Sequence, residues 1–277
     1  MICFLNASEN TLPIRIPEAA TRVVRVVKCH KCRLNFNDPG LQAVCRVSAL
    51  DGTPRAGQGQ GMSDYTYTPP SDPPKLLHVD EEILVVDKQD GLLSVPGKGP
   101  EKADCLINRL REIYPDVLLV HRLDTDTSGV MVFARTPNAQ RHLGLQFENR
   151  QTSKSYIARL WGELAPEAGR VDLPLCVDWP NRPRQHVNYE KGRPAQTDWQ
   201  VIAHEEGTTR VRLTPITGRS HQLRVHMMEL GHAILGDPLY AEGPAQAFPR
   251  LMLHAETLSF RHPEGGASLT FTAPCPF

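Results

Sequence analysis

The chain has 277 residues, 40% of them hydrophobic, and its 31 Lys/Arg offset 31 Asp/Glu for a formal net charge of zero. That length and apolar content can bury a substantial core in one large or two modest domains. Neutrality excludes a uniformly basic coat, so any polyanionic partner has to meet a local patch. No apolar run is long enough to span a membrane and no signal peptide is evident, which predicts a cytoplasmic protein.

The first 61 residues stand apart from the rest. They carry four of the seven cysteines (Cys3, Cys29, Cys32 and Cys45), with eight basic residues to four acidic ones. Cys29 and Cys32 have the spacing of half a zinc site, but no second Cys-x-x-Cys follows. Cys45 with Cys3 or His30 is what would complete four ligands. Residues 52–61 are Gly-rich and polar and read as a flexible linker. Among the cysteines no pairing pattern stands out, as expected in a reducing compartment.

Beyond this extension the apolar pattern resolves into elements. Ile83-Leu84-Val85-Val86 reads as a strand. Residues 103–114 place Leu106, Ile107, Leu110 and Ile113 on one helical face. Short apolar runs at 117–120 and 130–134 read as strands around a polar loop. Thr136-Pro137 opens a helix running to about Asn149, with proline at its first position. Strands follow at 155–161, 197–203 and 209–213, then a helix over about 219–230 ended by Gly231. Strands interspersed with helices, without a repeating βαβ unit, predict an α+β fold.

The loop between the second and third strands carries the chemistry. His121-Arg122-Leu123-Asp124-Thr125-Asp126-Thr127-Ser128-Gly129 sets a cation and a carboxylate among small residues, on a mount held by sheet at both ends. Taken alone, such residues also serve as ordinary turn formers, and Asp124 as a cap for backbone N–H groups. Other chemistries lack their signatures: no dinucleotide or phosphate-binding glycine loop, no His-Glu-x-x-His, and no Gly-x-Ser-x-Gly to make Ser128 a nucleophile. His221 and His226 are five apart, about 140° from a shared helical face, which argues against a metal there. A glycoside hydrolase using Asp124 and Asp126 lacks a motif to assign the second carboxylate its role. From Met62 onward the chain is mildly acidic, yet Arg182, Arg184, His186, Lys191 and Arg193 cluster locally. Arg219, His221, Arg224 and His226 follow them. One basic face of this kind suffices to meet a polyanion with salt-sensitive binding, and such a charge run serves about as often as a bare solvated loop.

A resemblance narrows these options. His-Arg-Leu-Asp-x-x-Thr-Ser-Gly followed by an apolar strand resembles the signature of the RluA-type pseudouridine synthases. In order, Ile83 to Pro96 is similar to the family's opening strand and turn, with Gln89 where a proline usually stands. Lys154-Ser155-Tyr156-Ile157-Ala158, Arg193 to Trp199, and Leu213 to His226 with Thr217-Gly218-Arg219-Ser220-His221-Gln222-Leu223-Arg224 inside it continue the match. Gly236-Asp237-Pro238 and Leu253-His254-Ala255 complete it. The likeness covers roughly 76–277 and starts just after Met62. The expected organisation is therefore residues 1–61, a flexible or non-native extension, and 62–277, a pseudouridine synthase catalytic domain.

The resemblance implies a mixed, largely antiparallel sheet with flanking helices and an isomerase that needs no cofactor and no metal. It implies Asp124 as the carboxylate beside the ribose, Arg219 as the guanidinium that favours its ionised form, and Tyr156 as the aromatic on the target base. Arg122 is similar to the residue that fills the space left by the flipped base. Whether Asp124 attacks C1′, adds to the ring or takes the C2′ proton stays open at this point. His121, Arg182, Arg184, Lys191, Arg193, His221, Arg224 and Leu253 are the expected RNA contacts. The run from Val171 to Pro183 is most similar to the branch that modifies uridine 32 of tRNA anticodon loops and uridine 746 of 23S rRNA. The expected partners are thus tRNA and 23S rRNA stem-loops, met by a monomer. A non-catalytic RNA-binding or ribosome-assembly factor of the same fold is the alternative, and it has no need of the Asp124, Arg219 and Tyr156 set.

Overall fold

The computed structural model describes residues 67–277 and, before them, an antiparallel pair of short strands, β1 (Leu12–Ile14) and β2 (Val24–Val26). The four N-terminal cysteines, His30, the 52–61 linker and Met62 lie outside the described residues, and with them the zinc-site and linker expectations.

The first half continues with β3 (Lys75–Val79), β4 (Ile83–Lys88), α1 (Leu106–Ile113), β5 (Leu118–Leu119), β6 (Ser128–Ala134) and α2 (Pro137–Glu148). Then come β7 (Ser153–Trp161), β8 (Ala168–Asp172), β9 (Leu175–Val177), β10 (Gln185–Val187), β11 (Gln196–Glu205) and β12 (Thr208–Pro215). α3 (Gln222–Glu229), β13 (Leu253–Arg261) and β14 (Ser268–Thr272) close the chain. A ten-stranded sheet runs β3-β4-β6-β13-β7-β12-β11-β8, with β14 on β13 and β5 on β6. Its β6–β13 contact is parallel and the neighbouring pairs are antiparallel. The α+β fold with a mixed, largely antiparallel sheet is therefore what the chain adopts.

The unbroken apolar run of β6 has a simple cause: both faces of this part of the sheet are covered. Ile83 and Val85 pack with Val130, Val132 and the α2 residues Ala139 and Leu143 on one face. Leu84 and Val86 pack with Met131, Phe133 and the α1 residues Leu106 and Leu110 on the other. Each such fully buried side chain stabilises the fold by roughly 1.5–3 kcal/mol. A third cluster joins β7, β12 and α3 through Leu160, Leu213 and Met227. Where β6 meets β13, Gly129 (φ 115°) faces Ala255 so closely that a Cβ would collide with the Ala255 backbone. Only glycine permits that crossing.

Boundaries moved for local reasons. Thr136 caps α2 by accepting from the Ala139 N–H at 3.1 Å, so that helix begins where the Thr-Pro pair predicts. α3 starts at Gln222 rather than 219 because His221 is left-handed (φ 53°), which a right-handed helix cannot include. Only two residues of the 117–120 run form a strand. Strands β3, β8, β9, β10, β13 and β14 carry short or polar-interrupted patterns and gave no clear apolar period; β14, for instance, alternates exposed and half-buried residues.

Candidate active site

The 121–127 loop hangs between β5 and β6 and is fixed from three directions. Lys88, the last residue of β4 and 1% exposed, donates from Nζ to the carbonyls of Gln89 (2.7 Å), Thr125 (2.8 Å) and Thr127 (2.9 Å). Ser94 Oγ donates to the Leu123 carbonyl at 2.7 Å. His121 Nε2 accepts the Val132 N–H at 3.1 Å while its ring stacks on Phe147, centroids 4.5 Å apart. Buried backbone polar groups are thus satisfied and the loop has little freedom left.

Asp124 projects from this mount into a pocket lined by Arg122, Lys154, Tyr156, Arg219, His221, Arg224 and Leu253. Its Oδ2 lies 3.4 Å from Arg224 Nη1 and 4.0 Å from His221 Nε2. Arg224 is itself clamped: Nε and Nη2 each donate to Asp237 at 2.7 Å, in the two-pronged geometry a guanidinium favours. Asp237 also accepts from the Leu239 and Tyr240 N–H groups. One nitrogen of a rigidly held cation is left for Asp124.

That arrangement corrects an expectation. The guanidinium beside Asp124 is Arg224, not Arg219, whose Nε donates to the Pro194 carbonyl at 3.2 Å. The reason lies in the helix start. Arg219 precedes the left-handed His221, outside α3, whereas Arg224 is inside α3 and faces the loop. Arg224 is accordingly an ion-pair residue at 3% side-chain exposure rather than a surface contact for RNA. His121 serves the loop, and Leu253 is buried in the pocket wall. His221 holds the Tyr240 hydroxyl with Nδ1 at 2.7 Å. Exposed Arg122 stands at the rim. Arg182, Arg184, Lys191 and Arg193 lie elsewhere, on and beside the β9–β10 hairpin. Lys88, Asp237 and Tyr240 were missed by sequence reasoning. The first two sat inside the matched segments without a role, while Tyr240 carried no signal.

Likeness to known proteins agrees with the geometry. A family model described as RNA pseudouridylate synthase matches residues 82–229. The dual-specificity RNA pseudouridine synthase RluA of Escherichia coli (strain K12) is 53% identical over 219 residues, covering 78% of this chain and all of that protein. Its namesake from Vibrio vulnificus (strain CMCP6) is 50% identical over 223 residues, 78% of this chain and 89% of that one. The chain belongs to the RluA-type pseudouridine synthases. Among solved structures, human RNA Pseudouridylate Synthase Domain Containing 1 gives a TM-score of 0.61 at 28% identity, over 74% of this chain and 84% of that chain.

In this RNA pseudouridine synthase the pocket groups are tuned mainly by burial. Burial, then the Asp124 charge, pushes the Tyr156 phenol well above its usual range, so it stays protonated at neutral pH. Burial lowers Lys154 and His221, the latter against the pull of Asp124. Burial opposes the Arg224 charge, but the hydrogen bonds and charge of Asp237 outweigh it and the guanidinium stays ionised. Burial also raises Asp126 above an ordinary carboxylate, despite Arg224 and Lys88 nearby. Among the described residues no group of three or more His, Cys, Asp or Glu is placed to hold a metal, and no helix is long and apolar enough to cross a membrane.

Proposed function

We propose that this synthase isomerises a loop uridine of stem-loop RNA, with uridine 32 of tRNA anticodon loops and uridine 746 of 23S rRNA as its targets. It acts as a cytoplasmic monomer without metal or cofactor. The reading rests on one observation above the others: Asp124 stands on a fixed loop, facing the pocket, with Arg224 on one side and Tyr156 in the same cavity. The relatives named dual-specificity RNA pseudouridine synthase support the choice of two RNA classes.

The reaction breaks the N1–C1′ bond, turns the uracil and rejoins it through C5, with no net redox change. A carboxylate beside the ribose acts as nucleophile or base, and Asp124 supplies it. Arg224 stabilises that carboxylate without competing for substrate, because Asp237 holds its other face. Tyr156, kept neutral, packs on the uracil. Arg122 stacks in the space the flipped base leaves behind.

The deciding experiment measures pseudouridine in a tRNA anticodon stem-loop and a 23S rRNA hairpin, incubated with wild type and Asp124→Asn without added metal. Product from the wild type alone is expected. Binding without product on either RNA would instead favour a non-catalytic RNA-binding factor.

A further inference from the structure

Outside the pocket, one surface combines aromatic area with positive charge. The segment joining β9 to β10 carries Trp179, which is 67% exposed, an unusual setting for so large an apolar side chain. Arg182 lies over its ring, with the guanidinium carbon 3.3 Å from the ring centre. Most of the side chain's surface remains exposed to solvent. Arg184, Lys191 and Arg193 surround the same hairpin, with Asp178 and Glu190 as the acidic residues among them.

The segment is a built turn rather than a loose one. Asp178 N–H donates to the Arg184 carbonyl (3.0 Å), Arg184 N–H to Asn181 (3.0 Å) and Asn181 N–H to Asp178 (3.1 Å). It is also tied to the active site through one phenol. The Gln185 N–H donates to Tyr240 Oη at 2.7 Å, and that oxygen meets His221 Nδ1 at 2.7 Å. His221 in turn lies 4.0 Å from Asp124. Arg184 and Arg224 both flank the Tyr240 ring, at 5.3 Å and 5.1 Å.

We propose that the Trp179–Arg182 pair is a stacking platform for a second, unpaired base of the RNA whose uridine enters the pocket, held at a fixed distance from Asp124 by Tyr240. An exposed indole backed by a guanidinium presents a flat π-face that any unstacked base can cover, while the surrounding cations meet phosphates. A base-paired stem has no such base to offer. The platform therefore selects loop over duplex, and sets which loop nucleotide reaches Asp124. This rests on the stem-loop reading above.

The test compares Asp124→Asn with Asp124→Asn/Trp179→Ala and Asp124→Asn/Trp179→Phe, binding an anticodon stem-loop and a blunt duplex of equal length. Removing the indole is expected to weaken stem-loop binding about 5- to 150-fold, the range for one base–aromatic stack. Duplex affinity and the salt dependence of binding should hold, phenylalanine should restore most of the loss, and melting temperature should not move. In the active enzyme Trp179→Ala should raise KM and leave kcat within about twofold. Unchanged stem-loop affinity overturns the platform, as does an equal loss on duplex. If the wild type makes no product on either stem-loop, the stem-loop reading itself fails. Product from the wild type with Trp179→Ala unaltered defeats the platform alone.

Discussion

Among the arginines that lie against aromatic rings in this synthase, Arg224 and Arg182 have opposite surroundings. Arg224 sits over Tyr240 at 5.1 Å with 3% of its side chain exposed, filled on one side by Asp237 and on another by Asp124. Arg182 sits over Trp179 at 3.3 Å on an exposed turn. In the first case desolvation makes each charge contact strong and each missing partner costly, so the cation fixes geometry. In the second, water screens the charge and it adds little to stability, which leaves it available to a ligand. The pocket is assembled before substrate arrives; the hairpin surface is completed by it.

The largest expected contrast is in turnover. Asp124→Asn keeps the shape of the side chain and removes its charge and nucleophilicity. A fall in kcat of at least 10²–10⁴-fold, on the order of a lost general base, is expected. Trp179→Ala and Arg182→Ala should instead leave kcat near wild type at saturating RNA. A hairpin variant as inactive as Asp124→Asn when saturated would erase the distinction.

Stability gives the next contrast. Asp237→Ala strands a buried guanidinium and two N–H groups, and should cost about 3–5 kcal/mol, read as a drop in the urea midpoint. Arg182→Ala should stay within about 0.5 kcal/mol. Equal losses for the two would mean that the hairpin arginine is structural after all.

How far the sequence reveals these two regions follows from the range of the interactions involved. Strands β4 and β6 are legible because both faces are buried and the apolar runs are unbroken. α2 is legible because the Thr-Pro pair is a local start signal. Asp124 is legible from its place between the apolar runs at 117–120 and 130–134, together with the family likeness. The partner of Asp124 was not found, since Arg219 and Arg224 lie in one segment. What separates them is a single left-handed residue, His221, that no periodicity reveals. Lys88 reads as a strand end, and its purpose is apparent only when carbonyls of residues 125 and 127 come within 3 Å of Nζ. Trp179 and the Tyr240 link depend likewise on distant segments meeting.

Acid should affect the buried region first. Burial lowers His226 to about 4, where it meets Thr197 Oγ1 and the Leu173 carbonyl, and lowers His121 to about 3. Their folded values lie below the ordinary histidine value of 6.5, so the unfolded chain binds more protons between about 6.5 and 4. These two groups therefore make no difference above that window, and stability falls as pH drops through it. Urea melts from pH 7 to pH 4 should show that loss, and His226→Gln should show a shallower one. An unchanged slope in the variant would mean that another group carries the acid transition.

The smallest effect is the most specific to the exposed region. Each hairpin cation that meets a phosphate releases a counterion, so Arg184→Ala and Lys191→Ala should each lower the slope of log K against log salt by about 0.7–0.9. Affinity at high salt should then converge with wild type. A conservative change at Arg224 should leave that slope alone, because the charge is spent on Asp237 and Asp124 inside the protein. The paired slopes separate charges that build the site from charges that bring RNA to it, even though both kinds flank the same Tyr240 ring. If removing Arg184 leaves the slope intact while loosening the hairpin, then its contact with Tyr240 is what matters, and the hairpin would present RNA with shape and stacking rather than charge.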